Sequence, residues 1–147
     1  MDALAWWVDW AWGIPLILFT VVLHVCGLGV IYQQAIRLSR NREVHRRPLP
    51  RFLVWLAVAA LMATVLHGIE ASAWAAAYVW LGALPDGRIA MLYSLGAMTS
   101  YGHVGVFLPD GWQLLGALEA LNGMMLFGLT TAFLFGIIQK IWPVSGR

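Results

Sequence analysis

The chain has 147 residues, 61% of them hydrophobic and only 11% charged, with a formal net charge of +2 and a mean hydropathy of +0.77. Soluble domains carry roughly 25% charged residues, so this composition excludes a water-solvated globule and points to a membrane protein of one compact unit. A lone cysteine, Cys26, excludes a disulfide framework and a cysteine-only metal cluster.

The first ten residues contain Asp2 and Asp9 and no basic residue, the wrong charge for a cleavable signal peptide. Trp6, Trp7, Trp10 and Trp12, with Trp112 and Trp142, fall near expected span ends, as interfacial aromatic belts do. A bilayer-crossing helix needs about 20 apolar residues, and the first such stretch is GIPLILFTVVLHVCGLGVIYQQAI, residues 13–36. It carries His24. Cys26, two positions on and therefore on another face, is expected to be an inert buried thiol.

The connection RLSRNREVHRRPLPR holds Arg37, Arg40, Arg42, Arg46, Arg47 and Arg51. Such a loop is expected in the cytoplasm by the positive-inside rule. That predicts a multi-pass protein of the cell membrane with its N-terminus outside and its C-terminus, with Lys140 and Arg147, inside. Topology alone accounts for the arginines; contact of Arg37–Arg51 with anionic lipid is the alternative.

The second span opens at Arg51 with RFLVWLAVAALMATVLHGIEASAW and stays apolar to about Leu84. His67 and Glu70 stand at i and i+3, on one helical face. Ionisable residues inside spans are costly and read first as functional. Counted at about 1.5 Å per residue from the cytoplasmic ends, Glu70 and Glu119 are expected at similar depth.

Pro85-Asp86-Gly87 is a helix-start signal. The helix expected over Arg88–Met98 would reach about 16 Å, roughly half the hydrocarbon core. It cannot cross, so the sequence predicts a segment that dips and returns through Ser100-Tyr101-Gly102. Non-helical backbone at that depth must be buried in protein or line a watery cavity. The C-terminal dipole of such a half-helix favours a cation. The third span is WQLLGALEALNGMMLFGLTTAFLFGIIQ, residues 112–139. Its glycines allow close helix packing, Gly123 is the expected hinge, and Met124, Phe127, Thr131 and Phe135 recur at helical spacing as cavity-lining residues, Phe135 as a hydrophobic gate. Helix packing alone is the plainer account of that stripe.

SLGAMTSYGH followed by LLGALEALNGMMLFGLTTAFLFG resembles the pore module of the tetrameric potassium-channel superfamily, closest to its small bacterial pore-loop members. The resemblance covers roughly residues 52–139, so residues 1–51, the first span and arginine loop, stand as an addition to a pore domain over 52–147. It implies an all-α homotetramer in the bilayer, each subunit with three spans and a re-entrant pore half-helix. Potassium or sodium would occupy the pore; no other cofactor and no nucleic-acid partner is implied. The filter would be Met98, Thr99, Ser100, Tyr101, Gly102 and His103, with Tyr101-Gly102 aligned to the family's Tyr-Gly and Gly123 to its hinge glycine. His67, Glu70 and Glu119 would brace it by hydrogen-bonding each other and the loop backbone.

The departures bear on selectivity. Against T-V-G-Y-G-D read without gaps, Ser100 replaces the first glycine, whose conformation costs a residue with a Cβ about 1 kcal/mol. Met98 replaces the threonine ring with a thioether, a poor ligand for a hard cation. In the alternative register Thr99 takes that threonine's place and one filter residue is deleted. Both leave fewer carbonyl sites, so a weakly selective cation channel is expected. His103 stands where the family has an acid, placing titratable imidazoles at the outer mouth. Two other readings use the same residues: a non-conducting sensor or accessory subunit, and a transition-metal or proton transporter built on His24, His67 and Glu70. No nucleophile–base pair or phosphate loop suggests an enzyme.

Overall fold

A computed structural model describes residues 3–39, 48–99, 101–102 and 105–141. The described residues form four helices: α1 (Ala3–Ser39), α2 (Pro48–Trp80), α3 (Gly87–Met98) and α4 (Gln113–Ile141). Three of them contain stretches long and apolar enough to cross a membrane, Trp6–Arg37, Phe52–Trp80 and Gln113–Lys140. Their most apolar windows are only 17%, 22% and 28% buried within the chain. The hydrophobic residues therefore face outward, as suits lipid or neighbouring subunits and not water.

The first helix begins ten residues before the expected start at Gly13 and runs straight through Pro15. A proline inside a helix leaves the carbonyl of residue i−4 without its usual partner, and α1 continues through Pro15 all the same. The Trp-rich entry belongs to the helix because it is amphipathic, with Asp9 buried and Trp7 71% exposed. Cys26, expected to be buried, is exposed on the outer face of α1.

The second helix stops at Trp80, short of the expected Leu84. The stop is a Schellman turn: Ala83 N–H donates to Tyr78 O at 2.9 Å and Gly82 N–H to Val79 O at 3.1 Å, with Gly82 at φ +69°. Only glycine adopts that left-handed conformation without penalty. Asp86 then caps α3, its carboxylate accepting from the backbone N–H of Arg88 and Ile89, each at 2.9 Å.

Side-chain pairs fix the directions of the long helices. Along α1, Gly13, Thr20, His24 and Tyr32 meet Leu118, Asn122, Thr130 and Lys140 of α4 in ascending order, so the two run parallel. Trp12, His24 and Gly27 meet Trp80, Glu70 and Leu66 of α2 in descending order, so α2 is antiparallel to both. α1 is thus packed against both other spans and is no peripheral attachment. α3 lies between α2 and α4 at the end marked by Trp12 and Trp80, where Ala71, Trp74, Tyr78, Ala90, Tyr93, Met98, Leu115 and Leu126 form the main core.

Candidate functional site

Polar side chains bridge the three long helices at successive levels. At the end nearest α3, Asp9 of α1 is buried and turns its carboxylate to the backbone N–H of Leu114 and Leu115, in the first turn of α4. A carboxylate there complements the positive end of the helix dipole. Tyr78 of α2 donates to Glu119 Oε2 of α4 at 2.8 Å, with both residues fully buried. One turn along α4, Asn122 Nδ2 donates to Thr20 Oγ1 at 2.8 Å, and Thr20 in turn donates to the Leu16 carbonyl at 2.9 Å.

The most concentrated level lies further along. His24 Nδ1 stands 2.8 Å from Glu70 Oε1, and His67 Nδ1 stands 3.2 Å from Glu70 Oε2. The far nitrogens of both rings converge on one hydroxyl: His24 Nε2 and His67 Nε2 are each 3.1 Å from Thr130 Oγ1. Glu70, His24, Thr130 and His67 therefore form a closed ring contributed by α1, α2 and α4. His24 and Glu70 are fully buried, and His67 keeps 13% of its side chain exposed. The two imidazoles are 5.1 Å apart between centroids, and Phe127 stacks on the outer face of His67 at 4.5 Å and 15°. Donor atoms of His24, His67 and Glu70 all lie within 4.8 Å of one another, the grouping a metal ion needs.

The second cluster is where α3 ends. α3 closes at Thr99, whose N–H and Oγ1 both return to the Leu95 carbonyl. Gly102 N–H then donates to Gly96 O at 3.3 Å, so the chain turns back along the helix it has just left. Tyr101 is left 78% exposed and Phe107 74%. The tip of α3 rests on Gly123: a Cβ there would lie 2.6 Å from both Cα and O of Met98. Since α4 begins at Gln113, this contact falls about 15 Å along it.

Three sequence expectations change here. Glu70 and Glu119 are not level with each other: Glu70 shares the ring with Thr130, eleven positions after Glu119, which is about 16 Å along α4. Counting from loop arginines failed because the helices project unequally past their basic ends. Neither His67, Glu70 nor Glu119 forms a described hydrogen bond to the 99–112 backbone; they bond the other long helices instead. Gly123 lies inside an unbroken α4 and serves as the seat of Met98. Met124, Phe127, Thr131 and Phe135 are all exposed on the chain, while Met98 is buried and Thr99 exposed. Ser100, His103 and the arginines of 40–47 lie outside the described residues.

Sequence reasoning missed Thr130 and Tyr78. A threonine facing a histidine at the same height is invisible without knowing which helices touch, and a tyrosine near a span end reads as a belt residue. Compared with known proteins, the chain matches no family model, no curated protein and no solved structure.

Proposed function

We propose that the chain is one subunit of an oligomeric, weakly selective cation channel, with the segment from α3 to Gly102 as its pore loop. The observation that carries this reading is the seat of Met98 on Gly123. A helix of 12 residues spans about 18 Å, and its tip meets α4 at Gly123, roughly a third of the way along it, after which the backbone reverses. A half-helix descending between two spans and returning non-helically is tolerated at that depth only inside protein or beside water. Tyr101 is exposed on the single chain, which leaves its surface free for other copies in this reading. One loop cannot encircle an ion, and four around an axis suit the resemblance to tetrameric channels.

The burial of Met98, at 3% exposure, supports the register in which exposed Thr99 opens the filter. One carbonyl layer is then missing, and fewer dipoles replacing the hydration shell discriminate potassium from sodium less well. The basic ends of the helices face the cytoplasm in this reading, and Phe135 and Thr131 border the inner cavity.

The test is flux from liposomes containing purified protein, with potassium, sodium and protons compared and the oligomer weighed by native mass spectrometry. Tetramers with potassium-over-sodium permeability well below an intact-filter channel are expected. Protonating histidines at the mouth adds positive charge, so cation flux falls as pH drops through the imidazole range, and His103→Asp removes most of that fall. A monomer, or a tetramer without flux of any ion, would refute the reading.

A further inference from the structure

We propose that His24, His67 and Glu70 form a binding site for a divalent transition-metal ion of the zinc class, held between all three long helices and oriented by Thr130. The site is independent of whether the protein conducts.

The argument starts from hydrogens. The ring has a contact at each of its four junctions: His24 Nδ1 with Glu70 Oε1, His67 Nδ1 with Glu70 Oε2, and each Nε2 with Thr130 Oγ1. Each contact needs one hydrogen. An ionised carboxylate supplies none, two neutral imidazoles supply one each and the threonine hydroxyl supplies one. The ring is one hydrogen short and carries a net negative charge inside a membrane-spanning bundle, an expensive combination. The weak junction is the one between Glu70 Oε2 and His67 Nδ1, which are buried 3.2 Å apart and make no hydrogen bond of good geometry.

A metal ion would take the place of the missing hydrogen. Thr130 Oγ1 has two lone pairs and can accept from both Nε2–H groups, which fixes both tautomers with the Nδ1 lone pairs facing the carboxylate. Such an outer hydrogen bond on the far nitrogen is how metal-binding imidazoles are oriented. An ion between the two Nδ1 atoms and the carboxylate would sit about 2.0–2.2 Å from each donor, giving donor–donor edges of about 3.3 Å in tetrahedral geometry. His24 Nδ1 and His67 Nδ1 stand 2.8 and 3.2 Å from Oε1 and Oε2 of Glu70 respectively, and one donor atom from each of the three residues lies within 4.8 Å of the others, so side-chain shifts of up to about 1.5 Å close the set to those edges. Two imidazoles and one carboxylate suit zinc and its neighbours; calcium and magnesium want six or more oxygen ligands. Zinc acidifies water in its remaining position, and hydroxide there makes the site neutral. His67, partly exposed beside Phe127, is the side of entry.

One proton would also complete the ring, so the experiment must separate the two. Full-length protein in detergent is loaded with zinc or with cobalt, dialysed against metal-free buffer at fixed pH, and its metal counted by mass spectrometry. Expected are one retained ion per chain, a higher melting temperature that chelation reverses, and the visible absorption of tetrahedral cobalt. Glu70→Gln and His24→Ala should weaken binding at least 100-fold, while His45→Ala, in the connection between α1 and α2, leaves it unchanged. His67→Cys keeps a ligand and should add a thiolate-to-cobalt charge-transfer band, a signature that a purely structural histidine cannot give. Wild-type protein that retains no ion and shows no cobalt spectrum would overturn the proposal, leaving the proton as the ring's ligand. Undiminished binding in Glu70→Gln, or its loss in His45→Ala, would overturn the assignment to these residues.

Discussion

The ring at Glu70 and the seat of α3 on Gly123 hold the same bundle together by opposite means. The ring is specified by what is present: four polar side chains from three helices, each at hydrogen-bonding distance from the next. The seat is specified by what is missing, since Met98 backbone occupies the volume a Cβ on Gly123 would fill. Lipid offers little hydrophobic drive for helices to associate, so close packing of small residues and interhelical hydrogen bonds carry the association. This chain places one device beneath the loop and the other deeper among the long helices. Close packing tolerates no addition, and a ring of polar contacts tolerates no subtraction.

That contrast can be broken from either side. The largest effect is expected for Gly123→Leu, which drives a side chain into main-chain atoms that cannot rotate aside. Overpacking costs about 1–3 kcal/mol in side-chain cores, and a backbone obstacle puts this variant at the top of that range. The measurement is chemical denaturation in detergent, and protease cutting within 99–112 should rise in parallel. A melt unchanged by Gly123→Leu would show that α3 is not seated there.

Glu70→Ala comes next. It removes the carboxylate that His24 Nδ1 contacts at 2.8 Å and leaves a void beside both imidazoles, at an expected cost of about 2 kcal/mol, within the range for hydrogen bonds to charged groups. Its mark should lie on α1, whose amide hydrogens near His24 should exchange faster while those of α3 do not. Equal loosening of α3 would mean that the two devices form one unit.

The smallest effect sharpens the comparison at the α3 end alone. Asp86→Ala deletes the cap on Arg88 and Ile89 and should cost about 1 kcal/mol. Faster exchange confined to the first turn of α3 is expected, and an Asp86→Asn cap should restore most of the protection.

How much of this was legible beforehand follows the same division. Local signals read well: the apolar runs gave three spans, and Pro85-Asp86-Gly87 placed the start of α3 within one residue. His67 and Glu70 could be paired because their spacing puts them on one helical face. The pairing of His24 and Thr130 depends on which helices neighbour each other and at what height, which periodicity does not encode. Gly123 was singled out as a hinge, whereas the structure makes it a point of close approach. A glycine that bends and a glycine that admits backbone look identical in sequence. Asp9 and the extra ten residues of α1 were missed because the span was bounded by its apolar run, which starts at Gly13, whereas the helix begins at Ala3.

The parallel packing of α1 on α4 has a consequence for biogenesis. Thr20 and Asn122 are 102 residues apart in the chain, and His24 and Thr130 are 106 apart. At a synthesis rate of about 5–20 residues per second, α1 waits roughly 5–20 s in the membrane before its partners on α4 exist. During that interval Asp9 has no helix terminus to meet, and His24 has only the Glu70 half of its ring. The first span therefore enters the bilayer with unmet polar groups and is completed by the last span to be made. Ribosome-bound chains halted before Gln113 should keep α1 cross-linkable to the insertion machinery, and release should follow the emergence of α4.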